Sequence, residues 1–415
     1  MSLFKQVILG TLSLGILSTV GCGSRQAHTN VAPFARQAQA TQFGAFNARN
    51  NATRNFRALG SNHQIHFVNA YAETIQQNEP LARRDNDGPA QALLQVITSA
   101  RQTLDVALYD LGDMGVAVAL AEAKRRGVKV RFITENQNVI PKGMELEKGT
   151  QQPTRDTIVV LQKAGIPVVD DNRSGLMHHK FAIADNKTVW MGSTNATSTS
   201  LYNHNNNAMT LNNAQLAENY TYEFNRMFVD GIFGARGPKR QIPHPVIKTA
   251  NGTIRTFFSP KGGGTEAILD VVNRAKKDIS FMTFSFTDKN IAGAMIAKKQ
   301  AGLRVEGVYD QCLGYGKYST YHMMRQNKVY TRMDGNEALL HHKVILVDDT
   351  VITGSFNFSA SADKSNNENM LIIEDRNVAN AYKQEYSRVM KAAKVNNPPP
   401  NHCPGRPAPT PRAGN

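Results

Sequence analysis

His341-His342-Lys343-Val344-Ile345-Leu346-Val347-Asp348, followed by Gly354-Ser355-Phe356-Asn357, has a second copy earlier in the chain. That copy is His178-His179-Lys180-Phe181-Ala182-Ile183-Ala184-Asp185, followed by Gly192-Ser193-Thr194-Asn195. Each reads H-x-K-x4-D and then G-S-x-N. Side chains alternate along a β-strand, so one strand is expected to present an imidazole beside an ammonium and its neighbour a hydroxyl beside an amide. Such a set suits a phosphate group, and the chain carries it twice.

The repeat extends well beyond the motif. Gly88, Ala92, Leu94, Val96, Ala100, Asp113, Gly127 and Glu135 recur as Gly263, Ala267, Leu269, Val271, Ala275, Asp288, Gly302 and Asp310, all 175 residues later. Both copies predict the same order: a helix (89–101; 265–277), a strand (104–109; 279–284), a helix (116–126; 291–301) and a strand (128–134; 303–309). Gly127 and Gly302 fall where helix C-caps are expected. Alternating helices and strands imply an α/β fold in which helices cover a sheet. The spacing falls from 175 to 163 at the histidines, so the first copy holds 12 extra residues within the polar stretch 136–157. That stretch reads equally as a loop at a site mouth or as a surface insertion.

Around this duplicated part, 63–230 and 252–395, the remaining segments have other compositions. Residues 1–22 pair Lys5 with a short apolar run and small residues, the anatomy of a signal peptide rather than a membrane span. Thr19-Val20-Gly21-Cys22 resembles a bacterial lipobox, with Thr19 in place of the usual Leu, so Cys22 is a candidate lipidation site. The protein is therefore expected to be exported, either periplasmic or membrane-anchored through Cys22, otherwise secreted. Residues 23–62 read as a flexible spacer, 231–251 as a linker with Pro238, Pro243 and Pro245, and 396–415 as a proline-rich tail. The net charge of +15 favours an anionic partner, but seven of those charges are arginines of the spacer and tail. Cys312 and Cys403 are left as an even pair for a disulfide in an oxidising compartment. No His/Cys cluster has zinc spacing, so neither a metal nor another cofactor is expected.

The paired elements resemble the phospholipase D superfamily over residues 63–395, and the second half resembles its short bacterial endonuclease branch. The resemblance implies two α-β-α sandwich halves with mixed sheets, related by a pseudo-twofold axis, with one active site at their interface. A monomer then suffices. It also implies that His178 and His341 are nucleophile and general acid/base, in that order or exchanged, and that Lys180, Lys343, Asn195 and Asn357 bind phosphate. Ser193 and Ser355 would support the phosphate or a nearby loop, and Asp185 and Asp348 would be structural. His179 and His342 should face away and pack. Family members commonly use a glutamate to orient a histidine; Glu368 of Asn366-Asn367-Glu368-Asn369-Met370 fits, whereas the first half has Asn205-Asn206-Asn207-Ala208-Met209, which sets Asn207 against Glu368.

The chemistry agrees with that implication. A phosphodiester repels nucleophiles, so its cleavage needs cations around the equatorial oxygens and an in-line attacker. A histidine attacking phosphorus needs a second histidine opposite it to protonate the departing alcohol. Duplication supplies both. The substrate is expected to be a phospholipid head group; a metal-independent endonuclease is the alternative, and a phosphatidyltransferase or an inactive binding protein is less favoured.

Overall fold

The computed structural model describes residues 56–57, 63–68, 75–83, 88–139 and 153–393. The expected signal peptide with Cys22, the tail with Cys403, and residues 140–152 of the expected insertion lie outside these. Cys312 is disulfide-bonded.

The first half contains β1 (Phe56–Arg57), β2 (His63–Phe67), α1 (Ile75–Ala82), α2 (Pro89–Ser99), β3 (Thr103–Leu108), α3 (Met114–Arg125), β4 (Lys129–Thr134), α4 (Pro153–Lys163), β5 (Val168–Asp170), β6 (Lys180–Ala184), β7 (Thr188–Gly192), α5 (Ser198–Tyr202), β8 (Asn207–Asn212) and α6 (Ala214–Phe228). The second half contains β9 (Val246–Thr249), β10 (Gly252–Ser259), α7 (Gly264–Asn273), β11 (Asp278–Thr283), α8 (Lys289–Gln300), β12 (Arg304–Tyr309), α9 (Gln311–Gly314), α10 (Tyr321–Gln326), β13 (Tyr330–Met333), β14 (Lys343–Val347), β15 (Thr350–Gly354), α11 (Ala360–Lys364), β16 (Glu368–Glu374) and α12 (Arg376–Ala392).

The two sheets have one topology. The first runs β1-β2-β8-β7-β6-β3-β4-β5 and the second β9-β10-β16-β15-β14-β11-β12-β13. In each, the strands before and after the second shared helix pair in parallel, while the motif strand joins the same central strand antiparallel. These central strands are buried almost throughout, as strands covered on both faces must be.

Local chemistry fixes the helix ends identically. Asp113 Oδ1 accepts from Val116 N at 3.1 Å, and Asp288 Oδ1 accepts from Ile291 N at 3.0 Å. At the other end Gly127 and Gly302 take φ of +92° and +93°, and each amide donates at 3.0 Å to the carbonyl three residues back. Outer helices α2, α3, α7 and α8 bury one apolar face against their own sheet.

Helices α6 and α12 behave differently. They sit between the sheets, α6 reaching β10 and α12 reaching β2, and their residues share one core with both motif strands. Phe181, Phe224, Phe258 and Tyr382 are all buried in it, and each such side chain contributes roughly 1.5–3 kcal/mol. The halves are thus fused by a common core rather than tethered by a linker. Accordingly, the segment 231–251 is not simply a connector: it holds β9 and delivers the buried Arg240 to Glu223 at 2.6 Å. The spacer also gives up two residues, since β1 pairs with β2. The polar stretch 136–157 is not all loop, because its last residues begin α4.

Candidate active site

The motif departs from a simple strand reading in two ways. Strands β6 and β14 begin at the lysines, so His178 and His341 precede them. Each histidine is instead held by the opposite half: His178 N donates to Asn367 O at 2.9 Å, and His341 N donates to Asn205 O at 2.9 Å. Strands β7 and β15 end at Gly192 and Gly354, so the serine and asparagine that follow sit in loops and do not project together. Glycine is required there because an added Cβ would come within 2.3 Å of Asn207 O or 2.2 Å of Asn369 O. Ser193 and Ser355 turn into the protein, whereas Asn195 and Asn357 remain half-buried, each with a buried Oδ1 that has no partner among the described residues.

The two histidines meet different partners. His178 Nδ1 lies 2.7 Å from Glu368 Oε2, across the seam, and Ser355 Oγ donates to the same oxygen at 2.6 Å. Asn366 Nδ2 donates to Oε1 at 3.2 Å. Burial alone would raise the Glu368 pKa, but His178, Lys180 and Ser355 outweigh it and hold the carboxyl below its usual value. His341 Nδ1 lies 3.0 Å from Asn206 Oδ1, which also accepts from Ser193 Oγ at 2.8 Å. The Asn206 amide donates to Ser200 O at 2.9 Å, which fixes its orientation and therefore places the proton of neutral His341 on Nδ1. In both rings Nε2 is left for chemistry.

This geometry corrects one pairing. The residue in Glu368's place is Asn206, not Asn207; Asn207 stands where Asn369 does, since Ser193 N donates to Asn207 O and Ser355 N to Asn369 O. The spacing had dropped again, from 163 at the histidines to 162 at the glycines, and subtracting 162 from 368 gives 206.

The lysines complete a cationic, water-poor site. Lys180 Nζ and Lys343 Nζ each donate at 2.8 Å to the carbonyl of the histidine two residues back. They lie 5.0 Å from the ring centre of Tyr109 and 4.7 Å from that of Phe284, residues that also flank His178 and His341. Burial pulls Lys180 down to about 7 and Lys343 well below its usual value, with Lys180 adding to the latter shift. Burial likewise lowers His178 to about 4, against the opposing pull of Glu368, and holds His341 well below its ordinary value, with Lys343 adding to it. An anion between these groups reverses those penalties.

The remaining motif residues hold the frame. Asp185 accepts from the amides of Arg101, Gln102 and Thr103 at 2.7–3.1 Å, and Asp348 from Lys276, Lys277 and Asp278 at 2.9–3.0 Å. Both take positive φ, +51° and +53°, in the turns after the motif strands. His179 and His342 are buried. His342 Nε2 lies 3.0 Å from Glu385, which Arg388 clamps, and His179 Nε2 lies 3.4 Å from Glu223, which Arg240 clamps. Glu135 accepts from Met177 N at 2.7 Å and Asp310 from Leu340 N at 3.1 Å, so each fixes the residue just before a histidine. Sequence reading had aligned these two acids without giving them that task.

Residues 93–228 and 268–390 match the family described as "Cardiolipin synthase, PLD-like domain". Together with the two-half fold and paired motifs, this defines a phosphodiester hydrolase built on a duplicated domain. The chain belongs to the phospholipase D-like family. It is 37% identical over 134 residues to "Phospholipase D" of Rickettsia felis, covering 32% of this chain and 67% of that one. It is 32% identical over 123 residues to "Mitochondrial cardiolipin hydrolase" of Xenopus tropicalis, covering 29% and 59%. A phosphatidylserine synthase from Haemophilus influenzae shares the fold, with a TM-score of 0.59, 14% identity and coverage of 80% and 87%.

Proposed function

We propose that this chain is an exported phospholipase D-type phosphodiesterase that releases phospholipid head groups through a phosphohistidine on His178. The observation that carries this assignment is the 2.7 Å pairing of His178 Nδ1 with Glu368 across the seam. The carboxylate keeps the Nδ1 proton in place, aims Nε2, and supports the positive charge the ring acquires when phosphorylated. His341, backed by a neutral amide, holds an added proton less firmly and is the better acid.

Attack by His178 Nε2 forms the P–N bond as the P–O bond to the head group breaks, and His341 Nε2 gives its proton to the leaving oxygen. Water then attacks phosphorus, His341 takes a proton from it, and the P–N bond breaks to leave phosphatidic acid and free His178. Lys180 and Lys343, with the Asn195 and Asn357 amides, neutralise the equatorial oxygens throughout. The names of relatives that act on lipids and the leader-like residues 1–22 support the lipid substrate and export.

A second reading, a metal-independent endonuclease acting on DNA or RNA, is favoured by the net charge of +15. Purified protein in EDTA, given labelled phospholipid vesicles and separately single- and double-stranded DNA and RNA, is expected to release head group and spare the nucleic acid. The reverse result selects the nuclease. His178→Ala and His341→Ala are each expected to lower turnover by at least about 10²-fold. Retained turnover in both variants, or an absolute need for added metal, would overturn the shared-site mechanism.

A further inference from the structure

The seam contains a third histidine that this mechanism does not use. His204 lies two residues before Asn206, and its ring centre is 5.9 Å from that of His341. Its Nδ1 is buried without a hydrogen-bond partner among the described residues, while the side chain as a whole is half-buried. The equivalent position in the other half, 162 residues later, is Asn366, which is fully engaged: Leu176 N donates to its Oδ1 at 3.2 Å, and its Nδ2 donates to Glu368 Oε1 at 3.2 Å. Asn366 supports the carboxylate behind one catalytic histidine. His204 has no carboxylate to support, because Asn206 stands there.

We propose that His204 is a further substrate-binding residue, donating a hydrogen bond to an anionic oxygen of the phosphodiester on the His341 side. A buried ring nitrogen with no partner is costly, and native proteins keep such atoms where a ligand completes them. The charged and titratable groups facing His204 are Lys343 and His341. Burial, with Lys343 adding to it, lowers its pKa to about 4. A phosphate between Lys343 and the ring supplies the missing countercharge, so the imidazole takes up a proton as the anion enters. The half without Glu368 thereby gains a donor that the other half lacks.

The inference rests on the site being a phosphate site, and the test separates the two. Inorganic phosphate is titrated calorimetrically into the full chain between pH 5.5 and 7.5, in buffers of different ionisation heat, alongside His204→Asn and His204→Gln. Asn is the side chain at the equivalent place, and Gln keeps a longer hydrogen-bonding arm, so unfolding of one variant leaves the other to decide. The parent is expected to take up more protons per phosphate than the variants and to bind about tenfold tighter near pH 6. Equal uptake and equal affinity overturn the role of His204, including the case in which the variants merely melt earlier. Failure of the parent to bind phosphate overturns the phosphate-site reading and this inference with it.

Discussion

The two halves share strand order, helix caps, aspartate-bound turns and lysine placement, yet their histidines differ in what stands behind them. His178 faces a carboxylate, Glu368, and His341 an amide, Asn206. The contrast continues further out. Asp171 is paired with Arg173 at 3.0 Å, and burial raises it to about 6. Its counterpart Asp334 has Asn336 in the place of that arginine, and burial, reinforced by Asp310, raises it to about 8. Duplication therefore supplies a symmetric scaffold, and a few substitutions at the seam give the two histidines unequal surroundings. In the proposed mechanism symmetry brings two imidazoles to one phosphate, and asymmetry decides which attacks and which protonates.

The largest test of this comparison removes the charge behind His178. Glu368→Gln keeps an acceptor within reach of Nδ1 but abolishes the carboxylate, and about 10²- to 10³-fold of turnover is expected to go with it. A loss below tenfold would show that the orientation of the ring, not the charge, matters. The serines give a paired test of stability. Ser355 Oγ donates to an ionised oxygen at 2.6 Å, Ser193 Oγ to a neutral one at 2.8 Å. Denaturant unfolding of Ser355→Ala is expected to show a loss of about 1.5–3 kcal/mol, and that of Ser193→Ala about 0.5–1.5 kcal/mol. Equal losses would erase the electrostatic difference between the halves.

Much of this was legible in the residues because the repeat could be checked against itself. The 175-residue spacing carried helix caps and strand positions, so the α/β architecture followed from local chemistry that both copies obey. What stayed hidden depended on contacts between the halves. Nothing in the order of residues said that Glu368 crosses the seam to His178, because that link joins β16 of one sheet to a loop of the other. The single-residue change in spacing between the histidines and the glycines moved the partner of Glu368 from Asn207 to Asn206. The linker and spacer were read from composition, which cannot reveal that Arg240 is needed as a counterion for buried Glu223.

The finest test restores the symmetry. In the free enzyme burial holds both histidines neutral, and the carboxylate of Glu368 draws an added proton to His178 while His341 has only the neutral amide of Asn206 behind it. The proposed mechanism needs it on His341. Asn206→Asp places a carboxylate behind His341 and raises its pKa. Because the acid must be charged to act, activity is lost as pH rises through that pKa, and the alkaline limb of kcat/KM is expected to move up by about one pH unit. On that limb the variant should exceed the parent by up to about tenfold, while its plateau falls because a better-stabilised imidazolium is a weaker acid. The aspartate also loses the amide that donated to Ser200 O, at a cost of about 1–3 kcal/mol in stability. An alkaline limb that stays in place would mean that the proton on His341 does not set it, and the division of labour between the halves would have to be exchanged.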